Sequence, residues 1–313
     1  MSPGSYQLHG LRVRSEVPLH ALPLADDGNG FDLDIFCGLP APVGTGAPPG
    51  EVVAELTVAG SRYYTATRTA ENHVFRTHGW GDFVIDVAAR TIECRIDDKV
   101  APEFISVLLG GTITAFYLGL AGRSLLHGSA VETDGVCTAF VGHSGAGKST
   151  MAATMCAAGG RLVCDDVLHL DLERGAHCLG RSSELRLRQT SLSVLDGMDP
   201  MPSIRKSPDG KVAIAFEVAP PGDLELSRIV IPLPSRTNDT VELRRLRGAE
   251  AFMGLSRYPR ILGWRTPEVL QARLVFLAAL SERVPVFEAV LPWGPPFSGA
   301  LASELLDCLD AAT

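Results

Sequence analysis

Between Gly142 and Ser149 the chain reads Gly142-His143-Ser144-Gly145-Ala146-Gly147-Lys148-Ser149, the P-loop pattern. A glycine-rich turn of this kind, set between a buried strand and a helix, points backbone N–H groups at a phosphate while the lysine reaches the terminal phosphates. The flanks fit. Apolar Cys137 to Val141 supplies the strand, and Ser149 to Ala158 supplies a helix whose positive end faces the loop. The only lysines are Lys99, Lys148, Lys206 and Lys211 among 28 basic residues, so a chance match is on the order of one per cent. Ser149 is placed to ligate magnesium through its hydroxyl, with Thr150 following it. The alternative is a glycine-rich turn that holds no nucleotide.

Downstream, Leu162-Val163-Cys164-Asp165-Asp166 is an apolar strand ending in paired carboxylates. Beside a polyphosphate two acids divide the work: one holds magnesium, the other accepts the proton of an attacking hydroxyl. Without a P-loop such a pair reads as a solvated turn. His127, in Leu125-Leu126-His127-Gly128-Ser129-Ala130, precedes the strands leading to the loop; it is either a satisfied structural imidazole or one oriented by a carboxylate. His143, within the variable loop positions, is expected to face solvent. Glu184-Leu185-Arg186 alternates like a strand, offering a second magnesium acid in Glu184 and a phosphate cation in Arg186, or simply an exposed face. Arg205, Lys206 and Lys211 form a basic loop within reach of a phosphate or merely solvated. Arg244, Arg245 and Arg247 read as a solvated strand face.

The composition of the 313-residue chain sets the frame. Hydrophobic residues at 46% and charged residues at 20%, with signs interspersed, exclude a disordered chain, a coiled coil and a fibre. A net charge of -8 gives no basic footprint for nucleic acid or an anionic membrane, so neither is expected as a partner. Seven scattered cysteines without a CxxC spacing fit reduced thiols in a cytoplasmic protein. No signal peptide is visible, and the uncharged stretch Phe104 to Gly122, interrupted by Gly110, Gly111 and Gly119, reads as a buried helix.

Residues 1 to 100 read as a β-rich domain, with strands at Tyr6 to Val13, Asp32 to Phe36, Tyr63 to Thr67, His73 to Thr77, Asp82 to Val87 and Thr91 to Ile96. Residues 101 to 313 read as an α/β P-loop domain: strand, glycine turn and helix alternate in the manner of parallel strands. Loops are expected between Pro200 and Pro234, and helices at Glu268 to Ser281 and Ser298 to Leu309.

Together, LLHGSAV, GHSGAGKST and GGRLVCDDV resemble the catalytic domain of HPr kinase/phosphorylase, and more closely the HPr-kinase-like kinases of bacterial lasso-peptide biosynthesis clusters. The resemblance covers about residues 101 to 313, most specifically 125 to 170. It implies a core akin to phosphoenolpyruvate carboxykinase, ATP and Mg2+ as cofactors, and transfer of the γ-phosphoryl group to a serine. By motif, Gly142 to Ser149 would hold the nucleotide, His127 would match the active-site histidine, and Asp165 and Asp166 the paired acids, with the base unassigned between them. Thr150 stands where HPr kinases carry an acid, and their phosphorolysis signature has no copy here, so a one-way kinase is expected. The start YQLHGLRVRS resembles the lasso-cluster relatives, whose acceptor is the C-terminal serine of a precursor peptide. The reading is thus an ATP- and magnesium-dependent kinase of a serine-containing peptide or small protein. A small-metabolite kinase and a nucleotide-binding regulator are the alternatives, and a homo-oligomer is left open.

Overall fold

Within Tyr6 to Val13, where the sequence suggested one strand, His9 and Gly10 adopt positive φ of 50° and 85° and reverse the chain. The result is a hairpin of β1 (Gly4–Leu8) and β2 (Leu11–Ser15), closed by the turn type whose twist matches its strands. The computed structural model describes residues 3–24, 29–173, 175–222 and 224–312. Among them, β3 (Leu22–Pro23), β4 (Leu33–Cys37), β5 (Glu51–Val58), β6 (Ser61–Arg68), β7 (His73–Thr77), β8 (Gly81–Asp86) and β9 (Thr91–Ile96) join the hairpin. They form a nine-stranded sheet ordered β3-β1-β2-β4-β9-β8-β7-β6-β5.

The next segment is helical from Pro102 to Leu120: α1 (Pro102–Leu108), a π turn (Leu109–Ile113) and α2 (Thr114–Leu120). It is long and apolar enough to cross a membrane, yet most of it is buried. Phe116 has no exposure, and its ring lies 4.9 Å from Phe75 of β7 and 4.7 Å from the stacked Trp264. Full burial of such a ring contributes about 1.5–3 kcal/mol. This packing displaces the boundary expected at residue 100. One compact unit comprises Met1–Ser124 with Ile261–Arg273, and the other Leu125–Arg260 with Leu274–Thr313.

The second unit is mixed α/β. Its strands are β10 (Leu125–Leu126), β11 (Gly128–Thr133), β12 (Val136–Val141), β13 (Arg161–Cys164), β14 (Leu168–Asp171), β15 (His177–Cys178), β16 (Leu185–Leu187), β17 (Ser203–Lys206), β18 (Val212–Ala215), β19 (Leu226–Ser235), β20 (Glu242–Leu246) and β21 (Val286–Pro292). Its helices are α3 (Lys148–Ala157), α4 (Ala249–Ser256), the second half of α5 (Pro267–Arg283) and α6 (Leu301–Ala312). The main sheet is ordered β13-β11-β12-β19-β21-β20.

This order corrects the expectation of consecutive parallel strands. β11 is antiparallel to both β12 and β13 and separates them, and the parallel neighbour of β12 is β19, far along the chain. β19 also occupies a stretch where loops were expected because of Pro232 and Pro234. Both prolines lie beyond Val230, the last β19 residue paired with β12, so on that side their missing N–H groups break no ladder bond. α3 covers one face of the sheet, where Met151, Ala152 and Met155 pack with Phe140, Val230 and Phe287.

Candidate functional site

Five chain segments meet at one edge of the main sheet. β12, β19, β21 and β13 all end there, and β11, running the other way, begins there. In strand order this places Asp165 and Asp166 after β13, His127 and Ser129 at the start of β11, the glycine loop after β12, Pro234 at the end of β19, and Pro292 with Trp293 at the end of β21. Ends of parallel strands are where open α/β sheets bind ligands. A cavity of about 230 Å3 occupies this edge.

The loop turns from β12 into α3 with Gly145 at φ 86° and Gly147 at φ 89°, conformations that side chains resist. Gly147 caps α3, which brings its free N–H groups to the cavity. Lys148 lies inward, 6% exposed, with its Nζ donating to the His143 carbonyl at 2.9 Å. Desolvation lowers its pKa to about 8, more than Asp165 and Asp166 restore. A polyphosphate would reverse that balance.

Asp165 and Asp166 are held differently. Asp165 is buried and accepts from Ser149 Oγ at 2.8 Å, from Ser129 Oγ at 2.7 Å and from the Arg186 backbone N–H at 2.9 Å. Asp166 stands at φ 70°, a strained backbone for a non-glycine residue, and its carboxylate meets side-chain cations where Asp165 meets hydroxyls and a backbone N–H. One Asp166 oxygen lies 3.3 Å from His127 Nε2, and the other accepts from Arg260 at 2.7 Å with Arg186 at 3.4 Å. Desolvation works against the charge of Asp166, but Arg260, His127 and Arg186 outweigh it and hold the carboxyl well below the usual range. For His127, desolvation outweighs the attraction of Asp166 and lowers the imidazole pKa.

The cavity is lined by His127, by Ser144 to Thr150 and by both aspartates. Gly142 and His143 shape the loop from outside the lining; the exposed His143 ring packs on Tyr258 with centroids 4.8 Å apart. Glu184 is not brought to the site: it pairs with Arg205 at 2.6 Å, away from the cavity. β16 directs Arg186 to the acids instead, so the alternating stretch does deliver its cation. Arg188 and Lys211 also line the cavity. Arg260 was missed because its partner Asp166 is 94 residues away in sequence and no local pattern marks it.

Among the described residues no three His, Cys, Asp or Glu side chains form a metal-binding group. The oxygens of Ser149 and Asp165 nevertheless suit Mg2+, which uses one or two protein ligands and completes its shell with water and phosphate.

No family model matches the chain, and no curated protein does. Among solved structures, the Hpr(Ser) kinase/phosphatase from Coxiella burnetii aligns with a TM-score of 0.29 at 12% identity, over 60% of this chain and 97% of that one. A score this low does not establish a shared fold.

Proposed function

We propose that the protein is an ATP- and Mg2+-dependent kinase that transfers the γ-phosphoryl group to a hydroxyl, with a serine of a peptide or small protein as acceptor and the C-terminal serine of a lasso precursor as the specific candidate. The observation that carries this reading is the presence in one cavity of Lys148, the Ser149–Asp165 pair and the Asp166–His127 pair. Nucleotide binding alone needs the first; a carboxylate and an imidazole at the loop are what an incoming hydroxyl needs. The serine acceptor rests on the sequence resemblance, and the seven free thiols suit a cytoplasmic setting.

In this reading the two acids divide by their partners. Asp165, already sharing a proton with Ser149, would hold Mg2+ together with that hydroxyl, and the metal would neutralise charge on the phosphates. Asp166 is left to receive the acceptor hydroxyl. Its low basicity suits a loose transition state in which the hydroxyl proton leaves late. Arg260 and Arg186 keep Asp166 ionised and fix its direction, and Lys148 meets the terminal phosphates. Little covalent work falls to these groups; alignment and charge neutralisation supply the acceleration.

The test is phosphoryl transfer from γ-labelled ATP to a peptide ending in serine, an internal-serine peptide and a small sugar, followed by mass spectrometry. Wild type is expected to label a peptide, and Lys148→Ala to label nothing while melting as wild type does. A Lys148→Ala protein that keeps turnover refutes the assignment. Labelling of the sugar alone moves the acceptor to small metabolites.

A further inference from the structure

The cavity has two chemically different ends. On the side of β13 lie Asp165, Asp166, His127 and Arg186, all polar or charged. On the side of β19 and β21 the lining is Pro234, Leu291, Pro292, Trp293, Gly294 and Phe297, without a charged side chain. A phosphate seated there would lose water against a lining that offers it no charged side chain. An uncharged, planar group would not.

Strand order fixes where such a group belongs. The glycine loop follows β12, two strands from β13 in one direction and two strands from β21 in the other. At about 4.8 Å per strand, each end stands roughly 10 Å from the loop. A phosphate chain held on the loop with its terminal group toward Asp166 therefore runs its other end toward β21. The acceptor hydroxyl must meet the terminal phosphate beside Asp166, so the aromatic end remains for the rest of the donor.

Trp293 has the features of a stacking face. It lines the cavity although it is 55% exposed, an unusual state for the largest aromatic side chain. Arg236, outside the lining, places its guanidinium carbon 4.0 Å from the Trp293 ring centroid. That cation–π contact covers one face of the indole and modestly favours this placement at an exposed site. Pro234 lines the cavity beside the loop, its Cγ 3.8 Å from where a Cβ on Gly147 would stand.

We infer that Trp293, with Phe297 and Pro234, seats the base of a nucleoside triphosphate, so that the donor is recognised by its base as well as by its phosphates. This rests on the assignment of the glycine loop to the phosphates, and the experiment separates the two. Calorimetric titration of the full-length protein with Mg-ATP and with Mg-tripolyphosphate, which has the phosphates and no base, is compared for wild type, Trp293→Leu and Trp293→Phe. Trp293→Leu is expected to weaken ATP about tenfold and tripolyphosphate less than about twofold, with Trp293→Phe holding ATP within about threefold of wild type, because any aromatic face stacks a base. Lys148→Ala should weaken both ligands together. Equal loss of both ligands in Trp293→Leu overturns the base seat, and so does unchanged ATP affinity. If unchanged ATP affinity comes with a raised KM for the peptide, the aromatic end belongs to the acceptor. Wild type that binds neither ligand overturns the phosphate assignment, and the base seat with it.

Discussion

Lys148 carries a testable consequence of its burial. With its pKa lowered to about 8 by desolvation, the ammonium loses its proton as the pH rises through that value in the free protein. A bound polyphosphate favours the charged form and raises the pKa again. Binding near and above about pH 8 must therefore take up proton, and ATP affinity should fall as the pH rises further, whereas the uptake by Lys148 fades as the pH falls well below that value. Calorimetry at about pH 8.5 in buffers of different ionisation enthalpy should show the uptake in wild type and its loss in Lys148→Met. The two aspartates make a second prediction. Asp165→Asn replaces the charged carboxylate that accepts from the Ser149 hydroxyl by a neutral amide and should shift the Mg2+ requirement to higher concentration. Asp166→Asn should bind Mg-ATP nearly as wild type does and lose roughly 100- to 10,000-fold in turnover. A pair of variants that both behave as wild type would make the acids a surface turn.

At the scale of elements, the β12–loop–α3 unit was legible because every signal in it is local: an apolar strand, glycines at positive φ, then a helix start. Gly147 tests how far the site depends on that geometry. At φ 89° an alanine costs about 1–2 kcal/mol, and here the strain falls on the residue that aims the first N–H groups of α3. Gly147→Ala should lower the melting temperature modestly and weaken ATP more than its stability loss explains, as titration beside thermal unfolding would read. The neighbours of β12 were not legible. β19 hides behind prolines that a sheet tolerates only where β12 has ended, and nothing local reveals that end. Arg260 and Glu184 show the same limit at the site. Which cation reaches Asp166, and which acid is drawn off by Arg205, depends on pairings between distant segments.

For the whole chain the sequence texture changes near residue 100, from short β runs to an apolar helix, and that change suggested a boundary. Packing puts it elsewhere, because an apolar helix follows the surface that buries it. Leu109, Ile113 and Phe116 are fully buried in the unit that holds the nine-stranded sheet. The return segment Ile261–Arg273 belongs to the same unit: Trp264 stacks on Phe116, and the Leu262 carbonyl accepts from the Tyr64 hydroxyl at 2.6 Å. A fragment beginning at residue 101 would keep both segments and lose the sheet against which they pack. Exposing three large apolar side chains at about 1.5–3 kcal/mol each is comparable with the whole stability of a domain. The fragment 101–313 should therefore elute as soluble aggregate and bind a hydrophobic dye in proportion to protein, where the full chain elutes as a defined species and binds little. If instead the fragment is well dispersed, unfolds cooperatively and binds Mg-ATP as the full chain does, the helical segment does not need the nine-stranded sheet, and the boundary belongs at residue 100.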